Sequence, residues 1–123
     1  MLTKEEFIKL VTSKIKKGPI RNYNIIKITN DDGIEYKGSS IVNPAIKIEE
    51  LWTIYKTLHT KFHLTVTTKE LREMFPEIFG NTEAHCNPIF WMALMKECEM
   101  CDDIKYARTK KRGKPPLEIS LKK

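Results

Sequence analysis

The sequence of 123 residues lacks the features that mark membrane and secreted proteins. It contains no run of about 18 apolar residues, so we expect no membrane-spanning helix. Its first six residues do not follow the charged-then-apolar order of a secretory signal peptide. Three cysteines are present, an odd number that does not suit a disulfide framework. We therefore expect a cytoplasmic protein with reduced thiols.

Residue combinations typical of catalytic sites are also missing. No glycine-rich phosphate loop occurs, and Ser39 and Ser40 have no histidine nearby in the sequence. His59 and His63 flank a predicted helix end, where capping or packing explains them better than catalysis. We therefore predict a protein that is not an enzyme and that needs no cofactor.

Two short patterns could hold a metal ion, but simpler explanations are available for both. His85-Cys86 and Cys98-x-x-Cys101 supply ligand types that suit zinc. However, adjacent His and Cys side chains rarely reach one ion, and cysteine is often a small buried apolar residue. Glu35-x-Lys37 after Asp31-Asp32 is similar to the magnesium sites of some nucleases, yet here the acids lie in the same hairpin turn. We therefore predict no metal site.

The net charge of +6 is concentrated at the two ends of the chain. Residues 1–21 carry +4, residues 22–101 carry −3 and residues 102–123 carry +5. A basic patch is the electrostatic footprint of a protein that binds a phosphate backbone. A lysine-rich surface that only confers solubility is the alternative.

The first 42 residues predict a helix followed by a β-hairpin. Thr3 and Glu6 have the spacing of a capping box, and Gly18-Pro19 ends the helix. Strands are predicted over Tyr23–Thr29 and Ile34–Ile41, on either side of an Asn-Asp-Asp-Gly turn. Because two strands alone are marginal in water, the hairpin must pack on the first helix, on the rest of the chain or on a second copy. The apolar stripe of the helix comprises Phe7, Ile8, Leu10, Val11 and Ile15.

Residues 43–123 predict a longer series of helices and strands. Asn43-Pro44 starts a helix with a strong apolar stripe, and Thr67 and Glu70 form a second capping box. A polar turn over residues 80–87 precedes a third helix, which begins at Asn87-Pro88. The stripe of the first of these helices comprises Ile48, Leu51, Trp52, Tyr55, Leu58 and Phe62. The predicted elements are the helix Ile46–Thr60, the strand His63–Val66, the helices Thr68–Phe79 and Pro88–Met100, and the strands Ile104–Arg108 and Leu117–Leu121.

This order of elements over residues 46–121 resembles the winged helix-turn-helix superfamily. The resemblance implies an α+β fold of three helices and a small sheet whose final hairpin is the wing. It divides the chain into an extension, residues 1–42, and a winged-helix domain, residues 43–123. In this family the third helix enters the major groove and the wing contacts the backbone or the minor groove. We therefore expect a protein that binds double-stranded DNA, such as a transcriptional regulator.

Nine residues are predicted to contact nucleic acid. The third helix contains no Arg, Asn or Gln after its start, so contacts with the backbone should dominate over base readout. The predicted wing contacts are Arg108, Lys110, Lys111, Arg112 and Lys114, and the others are Thr82, His85, Asn87 and Lys96.

Two further hypotheses concern protein partners. An exposed apolar side of the third helix, through Ile89, Met92 or Met95, would favour a protein-interaction module or an accessory subunit. A homodimer through residues 1–42 would space two wings along a duplex.

Overall fold

The computed structural model describes residues 1–21, 23–28, 32–37, 45–79, 87–107 and 115–123. These residues form five helices and two antiparallel sheets of three strands each. The predicted α+β class is therefore confirmed. Within the described ranges, no helix is both long enough and apolar enough to cross a membrane.

Helices and strands are interspersed along the chain, and the strands of each sheet come from a different half of the chain. The first sheet has the strand order β1-β2-β3, and the second has the order β4-β6-β5. In chain order the elements are α1 (Lys4–Lys17), β1 (Asn24–Ile28), β2 (Gly33–Lys37), β3 (Ile46–Lys47), α2 (Ile48–Thr60), β4 (Thr65–Thr67), α3 (Thr68–Met74), α4 (Pro76–Phe79), α5 (Pro88–Glu97), β5 (Lys105–Tyr106) and β6 (Leu117–Ser120).

Helix α1 begins at the predicted capping box. The Thr3 hydroxyl accepts the Glu6 N–H at 3.2 Å, and the Glu6 carboxylate accepts the Thr3 N–H at 3.1 Å. Phe7 lies on the buried face of the helix and packs against the rings of Trp52 and Tyr55 in α2, with centroid distances of 5.5 and 4.9 Å. The amphipathic pattern therefore attaches α1 to the C-terminal half of the chain.

The N-terminal hairpin packs on α5. The ring of Tyr36 stacks on the ring of Phe90 with centroids 3.8 Å apart, and Tyr23 meets Phe90 edge-on at 5.5 Å. The Tyr36 hydroxyl also accepts the backbone N–H of Asn87 at 2.9 Å. Of the three packing partners considered for the hairpin, the structure therefore shows one, the rest of the chain.

Helix α5 lies at the centre of the core. Its residues from Phe90 to Met95 are all buried, and the Trp91 indole N–H points to the Leu51 carbonyl oxygen at 3.4 Å. Six consecutive buried residues cover every side of a helix with 3.6 residues per turn. The expected exposure of Met92 and Met95 is therefore wrong, since both are fully buried, and Ile89 is partly buried.

Several predicted boundaries differ from the structure, some for local reasons and some because of pairing with distant residues. The segment Ile46–Lys47 is a strand paired with β2, and α2 starts only at Ile48. The single helix predicted over residues 68–79 is split into α3 and α4, because the residue before Pro76 is pushed out of the helical region. Helix α5 ends at Glu97, three residues before the predicted end, and strand β4 starts two residues later than predicted.

Phe62 is the largest departure from the predicted apolar stripe of α2. It lies beyond the end of the helix with a positive φ of 55°, and 91% of its surface is exposed. The spacing of four residues from Leu58 suggested an inward position, but the helix ends before Phe62 is reached. The remaining stripe residues of α2 are buried as predicted.

Candidate nucleic-acid interface

The second sheet holds both ends of the predicted wing together. Strand β6 lies between β4 and β5, with Lys105 opposite Glu118 and Tyr106 opposite Leu117. One residue further out, the Ala107 N–H donates to the Pro116 carbonyl oxygen at 2.8 Å. Ala107 and Pro116, which lie on either side of the basic segment 108–114 in the sequence, are therefore held together at one end of the sheet. The predicted contacts Arg108, Lys110, Lys111, Arg112 and Lys114, like Thr82 and His85, lie outside the described residues.

Nearly all the charged residues in the sequence of this hairpin are basic. Six cations and one carboxylate lie between Lys105 and Glu118. The single acid, Glu118, faces Lys105 across the strand pair. Such a density of cations in one short stretch of sequence favours the binding of polyanions.

Lys105 and Tyr106 are additional candidates that the sequence reasoning missed. Both are exposed on β5, and 55% of the Tyr106 surface is accessible. An aromatic residue within a run of cations can stack on a base while its neighbours contact phosphates. The sequence shows this pattern, since Tyr106 lies between Lys105 and Arg108, and the pattern could have identified Lys105 and Tyr106 as candidates.

Asn87 is used to start α5. Its side-chain oxygen accepts the Ile89 N–H at 2.9 Å, and its own N–H donates to the Tyr36 hydroxyl. Pro88 follows at the first helical position, where its missing N–H costs nothing. The structure therefore confirms the predicted start of α5 at Asn87, and the predicted contact of Asn87 with nucleic acid stays a prediction.

Lys96 lies in the last turn of α5 and pairs with Asp103. The hydrogen bond with Asp103 raises the pKa of the Lys96 ammonium and, reciprocally, lowers the pKa of the carboxyl. Lys96 also lines one shallow cleft together with Lys105 and Lys122. Lys96, a predicted nucleic-acid contact, therefore lies near Lys105 of strand β5, although the Asp103 carboxylate offsets part of the charge of Lys96.

The two described cysteines, Cys98 and Cys101, pack in the core. Cys98 and Cys101 are both buried, and burial raises the pKa of the Cys98 thiol to about 12 and that of Cys101 to about 11. No group of three or more metal-binding side chains occurs within the described part of the chain. His85 and Cys86, the other half of the possible zinc set, lie outside it. Buried, protonated thiols act here as small apolar residues.

Cys98 and Cys101 are expected to resist thiol reagents in the native protein. In a Cys86→Ser variant, 5,5′-dithiobis(2-nitrobenzoate) at pH 8 should label neither thiol until denaturant is added, because the thiolate is the reactive form. The unfolded thiols ionise near pH 9 while the folded ones stay protonated. The free energy of unfolding should therefore fall as the pH rises above about 9. Rapid labelling of the native variant would show that the two thiols are accessible.

The described cations Lys96, Lys105 and Lys122 are exposed and can attract phosphate groups. Comparisons of the chain with models of protein families, with curated proteins and with solved structures find no match in any of the three. The functional conclusion therefore depends on the geometry and charge of the hairpin.

Proposed function

We propose that the protein is a winged-helix protein that binds double-stranded DNA mainly through the phosphate backbone. The wing segment, residues 108–114, makes the principal contacts, with Lys105 beside it. The observation that carries the proposal is the Ala107–Pro116 hydrogen bond, which holds together, at one end of the second sheet, the two strands on either side of a sequence segment with five cations.

The order and pairing of the elements support the winged-helix assignment. Helix α2, strand β4, helices α3 and α4, helix α5 and then the β5–β6 hairpin follow one another in the order of that family. Strand β4 joins the final hairpin to make one small three-stranded sheet. The departure from the family is α5, whose middle residues are enclosed by α1 and the N-terminal hairpin.

The burial of α5 determines the mode of binding that we propose. A helix reads bases with polar side chains that reach into the major groove. From Phe90 to Met95, α5 offers only buried apolar side chains. The wing cations would instead displace counterions from the phosphates, a contribution that depends little on base sequence. We therefore propose binding with weak sequence preference, as in a protein that coats or bends DNA or that depends on a partner for its target.

Nuclear magnetic resonance tests where the duplex binds. The protein labelled with ¹⁵N is titrated at low salt with a duplex of random sequence. The largest amide shifts should fall between Lys105 and Leu117, and those of Phe90 to Met95 should stay small. As a control, high salt should reverse the shifts, because it screens the contact with phosphates. Shifts centred on α5, or no shifts at low salt, would refute the proposal.

A further inference from the structure

The turn after α2 places an aromatic residue where glycine is usual. The Phe62 N–H donates to the His59 carbonyl oxygen at 3.2 Å, and the His63 N–H donates to the Leu58 carbonyl oxygen at 2.9 Å. This pair of bonds is the Schellman motif, which requires a left-handed residue just past the helix end. That residue is Phe62, with φ of 55°.

Phe62 is unfavourable for folding in two respects. A left-handed backbone crowds the Cβ atom, which glycine lacks. The side chain gains almost nothing from burial, since 91% of its surface is exposed. A strained backbone position that is not explained by packing points to a role outside the fold.

An apolar cleft of about 410 Å³ lies beside Phe62. Leu64 and Met1, the latter 65% exposed, contribute apolar surface to it. His59 closes one side, and its ring is tilted by 56° against the ring of Tyr55, with centroids 4.5 Å apart. The Nε2 atom of His59 is buried and has no hydrogen-bond partner among the described residues. The cleft therefore offers a mainly apolar surface.

The charges around the cleft select its occupant. Lys123 lines the cleft, Lys61 adjoins Phe62 and both are exposed, while no acidic side chain is among the described lining residues. A second copy would place the same cations against these, which disfavours self-association. A nucleotide base would find few hydrogen-bonding groups in so apolar a lining. A peptide with carboxylates around an apolar side chain complements both the charge and the surface.

We propose that Phe62 and this cleft form a docking site for an acidic segment of a partner protein. An apolar side chain of the segment packs against Phe62 and Leu64 in the cleft. Its carboxylates pair with Lys61 and Lys123. The exposed aromatic residue acts as the central contact, as aromatic residues commonly do in protein interfaces.

The docking site lies at the opposite end of the second sheet from the wing. At the docking end, the Leu121 N–H donates to the Leu64 carbonyl oxygen at 2.9 Å. At the wing end, which is the opposite end of strand β6, the Ala107 N–H donates to the Pro116 carbonyl oxygen. A partner on Phe62 would therefore leave the wing free, and the site does not depend on DNA binding.

A peptide-display experiment tests the proposal with the full chain. A random phage library of peptides about 12 residues long is selected on the wild-type protein after subtraction on the Phe62→Gly variant. Selected peptides should combine an aromatic or branched apolar residue with several carboxylates. In fluorescence polarisation, Phe62→Gly should weaken the best peptide by about tenfold or more, and Lys61→Glu with Lys123→Glu should weaken it similarly.

Two controls make the result specific. Tyr106→Ala removes an exposed aromatic residue of strand β5 and should leave peptide affinity unchanged, as should neutralisation of the wing. The Phe62→Gly variant should melt at the same or a higher temperature, because glycine suits the left-handed turn. Failure to select acidic peptides would overturn the proposal. Binding of phosphatidylserine vesicles or oligothymidylate that is lost in Phe62→Gly, without such peptides, would also overturn it and assign the site to lipid or nucleic acid.

Discussion

Replacing Met95 with lysine is expected to lower the free energy of unfolding by about 3 kcal/mol or more. Met95 is fully buried in the middle of α5, so the substitution removes packed apolar atoms and leaves an ammonium group without water. Such a loss is a large part of the total stability of a domain, which is about 5–15 kcal/mol. Urea denaturation followed by circular dichroism measures the effect.

The matched control is Glu97→Lys, two residues along the same helix. Glu97 is exposed, so we expect a change within about 0.5 kcal/mol. If α5 instead faced a groove of DNA, Met95→Lys would be as stable as the wild type and would bind a duplex more tightly. That outcome would contradict the enclosed position of the helix.

The wing cations are expected to dominate the salt dependence of DNA binding. Neutralising Lys110, Lys111, Arg112 and Lys114 to glutamine removes up to four phosphate contacts, each worth about 0.9 in the slope of log affinity against log salt. The slope should therefore become shallower by about 3 to 4. Between about 50 and 200 mM salt, the wild type should lose about a hundredfold more affinity than the variant.

A charge-matched control separates the wing from the net charge of the protein. Four exposed cations lie on helices and outside the second sheet, namely Lys9, Lys16 and Lys17 of α1 and Lys56 of α2. Changing them to glutamine removes the same total charge. We expect the slope to stay close to that of the wild type, because counterion release depends on cations that contact phosphates.

Local signals in the sequence predicted much of the fold. The capping boxes at Thr3 and Thr67 have the predicted partners, since each depends on residues only three positions apart. Helix α5 begins at Asn87 as predicted, for the same reason. Strand β3 was missed because Ile46 pairs with Ile34, far away in the sequence, and no local pattern reports that pairing.

The environment of α5 could not be predicted from its own residues. Its apolar side chains point in every direction, which fits a helix enclosed by its own protein or one that binds a partner. The rings of Tyr23 and Tyr36, more than 50 positions earlier, decide between them by covering Phe90. The position of Phe62 was predicted wrongly because the apolar spacing was extended two residues past Thr60, where the helix was predicted to end and does end. The wing is still a prediction, since residues 108–114 lie outside the described part of the chain.

The most direct test of DNA binding through the wing is a polarisation titration of one random duplex at several salt concentrations. It compares the wild type, the wing variant and the α1–α2 control. The predicted result is a steep salt slope for the wild type and the control, and a slope shallower by about 3 to 4 for the wing variant. Equal slopes for all three proteins, or no binding by the wild type at about 50 mM salt, would contradict the proposal.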